Sequence, residues 1–277
     1  MKTTLLWILA VLIAALSMVY QKATGPTYER TGEVTLNDQV ISYSLGRTHG
    51  GEGDQPVTIT VGDRDTRGMV QWKRYPTGEE YSTLQMVRDN EELTASLPHQ
   101  PPAGKLQYRV VLSEGNDFVV LPDSTGLVTR FKGGVPAGVL LPHVLLMILS
   151  MIMALRTGLE VFRRDANLKM LTLITFLVVL LGGGILGPIV QKYAFGVFWS
   201  GVPFGWDLTD NKLLVSLIGW LIALIAVFRA SPRVARVIVL LATLITISIY
   251  IIPHSMAGSE LDYAAYDSTG VIDNIPH

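Results

Sequence analysis

The chain contains no cysteine. Disulfides, CxxC redox motifs, thiolate metal sites and covalent c-type haem attachment are therefore all excluded. Charge is scarce as well. Only 16% of the 277 residues are Asp, Glu, Lys or Arg, whereas a soluble domain averages about 25%. The net charge of −1 leaves no global basic surface, so nucleic acid is not an expected partner. Histidine is rare too, with five in the chain. There is no internal repeat and no low-complexity tract.

What is abundant is apolar sequence, and it is unevenly placed. It concentrates at the N-terminus and in the C-terminal half, which argues for membrane segments and against one large core. Five runs stand out: residues 5–20, 139–155, 168–190, 213–228 and 234–252. At 1.5 Å per helical residue each is near the length that crosses about 30 Å of hydrocarbon, two of them being short. The first run follows Lys2 and lacks a small-x-small site, with Met18, Val19 and Tyr20 at its end. It is expected to be an uncleaved signal anchor over residues 1–22, although a cleaved signal peptide has a similar pattern.

Loop charge sets an orientation. Arg156, Arg163, Arg164 and Lys169 lie between the second and third runs, and Arg229, Arg233 and Arg236 between the fourth and fifth. Both connections read as cytoplasmic. The N-terminus is then inside. The segment between the first two runs, the loop 191–212 and the acidic tail 257–277, with Glu260, Asp262, Asp267 and Asp273, are outside. The expected location is the inner or plasma membrane, with lipid as the surrounding partner.

Residues 28–133 have a different texture. Short stretches of alternating polar and apolar residues, such as Val57 to Val61 and Leu106 to Leu112, are separated by turn residues such as Gly50-Gly51 and Pro76-Thr77-Gly78. About seven strands in about 100 residues predict an all-β, immunoglobulin- or fibronectin-like sandwich. Trp72 and Tyr108 are candidates for its core, and His99 for an exposed turn. No catalytic constellation is visible, so this domain reads as a binding or docking module for a protein partner. The predicted architecture is a bundle of about five membrane helices, four of them within 138–256, plus one extracytoplasmic β-sandwich.

Two histidines mark the outer ends of spans. His143 opens the second, after Pro142, and His254 closes the fifth, after Pro253. Ionisable groups at such depth point to function. The prolines are expected to interrupt the helices and aim the rings. Between them in sequence lies an aromatic loop with Phe195, Phe198, Trp199, Phe204 and Trp206 among glycines, followed by Asp207 and Asp210. Flat side chains of low entropy suit a flat apolar macrocycle, while an interfacial aromatic belt is the plainer alternative. Asp207 is a candidate ligand contact or helix cap, and Asp210 the expected cap of a helix starting near Asn211. Two neutral imidazoles on opposite sides of such a platform have the chemistry to ligate one iron axially. The run Gly182-Gly183-Gly184 with Gly187-Pro188 predicts a close helix contact or a kink in the third span.

Phe195-Gly196 through Trp199, Trp206-Asp207 and the following Leu217-Ile218-Gly219-Trp220-Leu221 resemble the tryptophan-rich WWD segment of the haem-handling membrane proteins of cytochrome c assembly. The order histidine, aromatic loop, histidine matches that family, over roughly residues 140–256. Departures are present. Phe195 stands where the motif's first tryptophan would be, residues 201–205 interrupt the spacing, and the family has more spans and no such β-domain in its core. The resemblance implies b-type haem at the outer face, with His143 and His254 as iron ligands and Phe195, Trp199, Trp206 and Asp207 around it. An electron-transfer subunit with haem on the same histidines and a non-catalytic docking or assembly protein are the alternatives.

Overall fold

The computed structural model describes residues 3–25, 27–252 and 260–272. Helix α1 (Thr3–Thr24) is followed by eleven strands, β1 (Arg30–Leu36) to β11 (Leu127–Lys132), and then by the remaining helices. These are α2 (Ala137–Glu160), α3 (Leu168–Val179), a π-helical turn (Leu180–Leu186), α4 (Gly187–Phe195), α5 (Leu208–Arg229), α6 (Pro232–Ile251) and the short α7 (Tyr263–Thr269). Because α3, the π-turn and α4 run on as one rod, five helices among the described residues are long and apolar enough to cross a membrane. At 22 residues, α1 is about 33 Å long.

The strands form three sheets around one core. The largest contains β3 (Thr48–Gly50), β11, β9 (Lys105–Glu114), β5 (Arg67–Arg74) and β6 (Ser82–Gln85) in that order, with β10 (Asp117–Leu121) on the same edge of β9 as β11. Strands β4 (Gln55–Thr60), β8 (Glu92–Leu97) and β7 (Val87–Asp89) form the second sheet. The hairpin of β1 and β2 (Gln39–Leu45) forms the third. The period-2 pattern is the cause: along β9 each second residue, Leu106, Tyr108, Val110 and Leu112, is fully buried. Tyr108 sits in the core and donates to Gly46 O at 2.7 Å, while its cross-strand neighbour Trp72 packs against that core half-buried. His99 is exposed, as expected of a turn residue.

The helices pack through small and hydroxylated residues. Ala10 and Ala14 of α1 meet Met151 and Leu155 of α2. Trp220 of α5 is fully buried and donates to Thr246 Oγ1 of α6 at 2.9 Å. Such close apolar contacts with side-chain hydrogen bonds are how helices associate where water gives little driving force. At the end of the bundle remote from the β-domain, Arg156 and Glu160 form a buried ion pair at 2.6 Å, each 3% exposed. Arg163 also binds Glu160, at 3.1 Å, and Arg236 bonds to Val161 O nearby.

The β-domain is seated on the opposite end of the bundle. Gly133 N donates to Ala194 O at 2.9 Å, and a Cβ on Gly133 would come within 2.3 Å of Tyr193 O, so only glycine allows this approach. The segment after α6 returns to the same domain. Tyr263 of α7 is buried and exchanges hydrogen bonds with the Lys105 backbone at 3.0 and 2.9 Å. Glu260 pairs with Lys105 at 2.5 Å, and Asp267 with Arg74 at 2.9 Å.

Candidate functional site

A cavity of about 420 Å³ lies where the β-domain meets the bundle. Residues from all five long helices line it, together with Arg130 of β11. Of the six residues picked out from sequence, His143, Phe195 and Asp207 line this cavity. Trp199 and Trp206 do not belong to its lining. Trp199 is half-buried with Nε1 donating to Val202 O at 3.1 Å, and Trp206 is 73% exposed. His254, with Pro253, falls outside the described residues. The second and fifth long helices are neighbours, as the two-histidine reading requires: Tyr250 of α6 bonds Ser150 Oγ at 2.7 Å and Met147 O at 2.9 Å on α2.

His143 is fixed by an unusual piece of backbone. Its Nδ1 lies 2.9 Å from Gly182 O. A carbonyl oxygen only accepts, so Nδ1 carries a proton, and in the neutral imidazole Nε2 keeps its lone pair. Gly182 O also accepts the N–H of Gly187, five residues on, which is the bond that defines a π-turn. The turn is built on glycine for reasons of space. A Cβ on Gly182 would lie 2.8 Å from Leu146 Cβ, and one on Gly183 would lie 2.4 Å from Leu213 Cδ1. The glycine run is thus a close contact with α2 and α5, as expected, and a widened turn besides. Pro142 does not break its helix, contrary to the expectation from sequence. It sits near the start of α2, where it removes one hydrogen bond donor and the helix continues through it.

The third rod runs to Phe195, beyond the end at 190 read from sequence, and stops at Gly196 with φ of 86°. The aromatic loop therefore spans 196–207. Two aspartates organise it: Asp207 takes the capping role that was one of its two expected roles, and Asp210 does not cap. Asp207 is the N-cap of α5, its Oδ1 accepting from Thr209 N at 2.8 Å and Asp210 N at 3.1 Å. Asp210 lies one turn inside and turns to the loop instead. Its Oδ2 accepts from Ser200 N at 2.6 Å, Gly201 N at 3.1 Å, Ser200 Oγ at 3.2 Å and Gln191 Nε2 at 3.0 Å. The helix starts at Leu208, three residues before the predicted start, so the cap moves three residues with it.

Sequence reasoning missed two cations here. Arg130 is 7% exposed, and its guanidinium lies 4.3 Å from the centre of the Phe195 ring. Burial lowers its pKa from the ordinary value, while the Asp207 and Glu260 carboxylates act in the opposite direction. Lys212 is also 7% exposed and donates to Ile252 O at 3.0 Å. A lysine in the first turns of an apolar helix was a signal for Lys212, whereas the consecutive burial of Thr129, Arg130 and Phe131 in β11 emerges only in the fold. Tyr250, Gln191 and Ser150 also line the cavity and carried no spacing signal.

Among the described residues no group of three or more His, Asp or Glu is arranged to hold a bare metal ion. A single histidine with an available nitrogen, in a cavity with an apolar wall of Val144, Met147, Ile148 and Leu213, fits instead a metal that brings its own macrocycle. The volume falls within the roughly 300–1,000 Å³ of small-molecule sites. No protein-family model matches the chain, and a search of curated proteins finds no match either.

Proposed function

We propose that this is an integral membrane protein that binds b-type haem at the outer membrane face, in the cavity beneath the β-domain, and holds it for a partner. The observation that carries this reading is His143, on the cavity wall with Nδ1 committed to Gly182 O and Nε2 left to coordinate. A backbone acceptor on the far nitrogen is the usual way a protein fixes the tautomer of a metal-binding histidine. Phe195 offers an aromatic face and Asp207 a polar rim. His254, which follows the last described residues of α6, is the proposed second ligand, and Trp199 and Trp206 belong to the rim of the outer loop. The motif resemblance points the same way.

The five apolar helices and the basic end at Arg156, Arg163, Arg164, Lys169, Arg229, Arg233 and Arg236 support the orientation: that end in the cytoplasm, the β-sandwich and tail outside. Haem, when bound, supplies the redox-active iron. The chain supplies an imidazole of fixed tautomer, an apolar wall and a polar rim. The test is the absorption spectrum of the detergent-purified protein. A Soret band that is lost or shifted in His143→Ala, with the fold intact by circular dichroism, supports the reading. A colourless protein that takes up no added haemin overturns it and leaves the docking or assembly role.

A further inference from the structure

We propose that His49 and His99 of the β-domain form a chelating pair for one divalent transition metal ion of the copper(II), nickel(II) or zinc(II) class. Neither residue lines the cavity below, so the site is separate from the haem reading and goes beyond it.

The two histidines are far apart in sequence and meet at one atom. His49 Nε2 donates to Gly53 O at 3.1 Å, and His99 Nδ1 donates to the same oxygen at 2.9 Å. Two imidazole nitrogens therefore converge on a single position, which is the arrangement a chelated ion requires. A metal–imidazole bond is about 2.0–2.1 Å long, so each nitrogen has only about 1 Å to travel.

The surroundings hold both rings in this pose. His49 lies on β3, in register with Phe131 of β11. His99 follows β8, and its backbone N–H donates to Asp54 Oδ1 at 2.8 Å. Phe131 is 1% exposed and meets both imidazoles edge-on, with ring centres 5.5 Å from His49 and 5.7 Å from His99. A buried ring against both imidazoles restricts their rotation and so lowers the ordering cost of binding. The loop between them serves the same meeting point. Gly51 and Gly53 have φ of 88° and 95°, where other residues are strained, and this turn aims Gly53 O at both histidines. Glu52 and Asp54 flank Gly53 with negative charge, which favours a cation.

The donor set selects the ion. The chain has no thiolate to offer, and neutral imidazole suits copper, nickel and zinc, with copper(II) bound most tightly of these. In the metal-free state both converging nitrogens carry protons, because a carbonyl only accepts. On binding, those two protons pass to solvent. His49 Nδ1 and His99 Nε2 each take one up, so both rings stay neutral and ligate through the freed lone pairs. Gly53 O, relieved of two hydrogen bonds, is placed to serve as an oxygen ligand. Two imidazoles and one carbonyl fall short of a closed structural site, so water completes the coordination and the ion stays exchangeable.

The experiment titrates copper(II) into the full-length protein in detergent, followed by calorimetry and electron paramagnetic resonance. One equivalent should bind at micromolar concentration, with hyperfine splitting from two imidazole nitrogens. His49→Ala and His99→Ala should each weaken it by about tenfold or more, since a single imidazole replaces a chelating pair. His99→Gln keeps a side-chain N–H for Gly53 O and so spares the loop, yet should lose copper to the same extent. Unchanged affinity in all three variants means an adventitious ion only and overturns the proposal. Absence of binding to the wild type at micromolar copper overturns it as well. Neither result bears on the Soret band, which reports on His143.

Discussion

His143 Nδ1 and Gly182 O lie 2.9 Å apart across two helices, and the carbonyl is available because the third rod opens into a π-turn there. The bond assigns the proton to Nδ1 before any ligand binds. Nitrogen-15 spectra of the histidine-labelled protein, without haem and at neutral pH, should show the Nδ1–H form for His143. A dominant Nε2–H form would break the assignment. Gly182→Ala places a methyl 2.8 Å from Leu146 Cβ and should cost about 1–3 kcal/mol through forced separation of the helices.

Asp207 and Asp210 are three residues apart and should respond differently to replacement. Asp207→Ala removes an N-cap, worth about 1 kcal/mol, and in addition the carboxylate whose charge opposes that of the buried Arg130. Asp210→Ala strips the acceptor from two backbone N–H groups, one hydroxyl and one amide in a buried loop, and each stranded donor costs roughly 1–3 kcal/mol. Thermal melting in detergent should find Asp210→Ala well below the wild type, and Asp207→Asn, which keeps a capping oxygen, above Asp207→Ala. The reverse of either order would contradict the network described here.

Orientation is checked with single cysteines in a chain that has none. Ser124→Cys in the β-domain and Ser268→Cys in α7 should react with an impermeant maleimide in intact cells. Asp165→Cys and Ser231→Cys, at the basic end, should react only after lysis. Labelling of the second pair in intact cells, or protection of the first, reverses the proposed topology.

The ion pairs around Arg74 should weaken in acid. Arg74 bridges Glu79 at 2.6 Å and Asp267 at 2.9 Å, and the hydrogen bond from Arg74 holds the Glu79 carboxyl below its ordinary value of 4.5. A carboxyl lowered in the folded state stabilises above its unfolded value, and that contribution is lost as pH falls through the folded one. Thermal stability should therefore drop as pH falls from 4.5 through the folded value of Glu79. At neutral pH, high salt should speed hydrogen exchange in residues 260–269, which Asp267 and Glu260 hold by ion pairs. Exchange indifferent to salt would mean that burial of Tyr263 alone holds the tail.

Much of the architecture is legible in the sequence because it rests on periodicity. Runs of apolar residues gave the five helices, and strict alternation gave β4 and β9. Half of the proposed site was legible as well: His143, Phe195 and Asp207 share one cavity. The rest depends on relations that no local pattern encodes. Trp199 and Trp206 have the aromatic character that drew attention to them, yet the loop folds onto Asp210 and turns them from the cavity lining. Arg130 is 65 residues upstream of Phe195, and only the seating of one domain on the other brings them together. The π-turn needed the helix to run through Gly187-Pro188, where sequence alone suggests a kink.

Gly133 of the β-domain is bonded to Ala194 of the third rod, and Arg130 packs on Phe195 beside it. A body hung from one linker swings, and one bonded across the joint as well is braced against that motion. The β-domain is therefore a bracket more than a pendant. Its rigidity is passed directly to Arg130, whose distance from Phe195 is set by the whole frame and not by the conformation of a single loop.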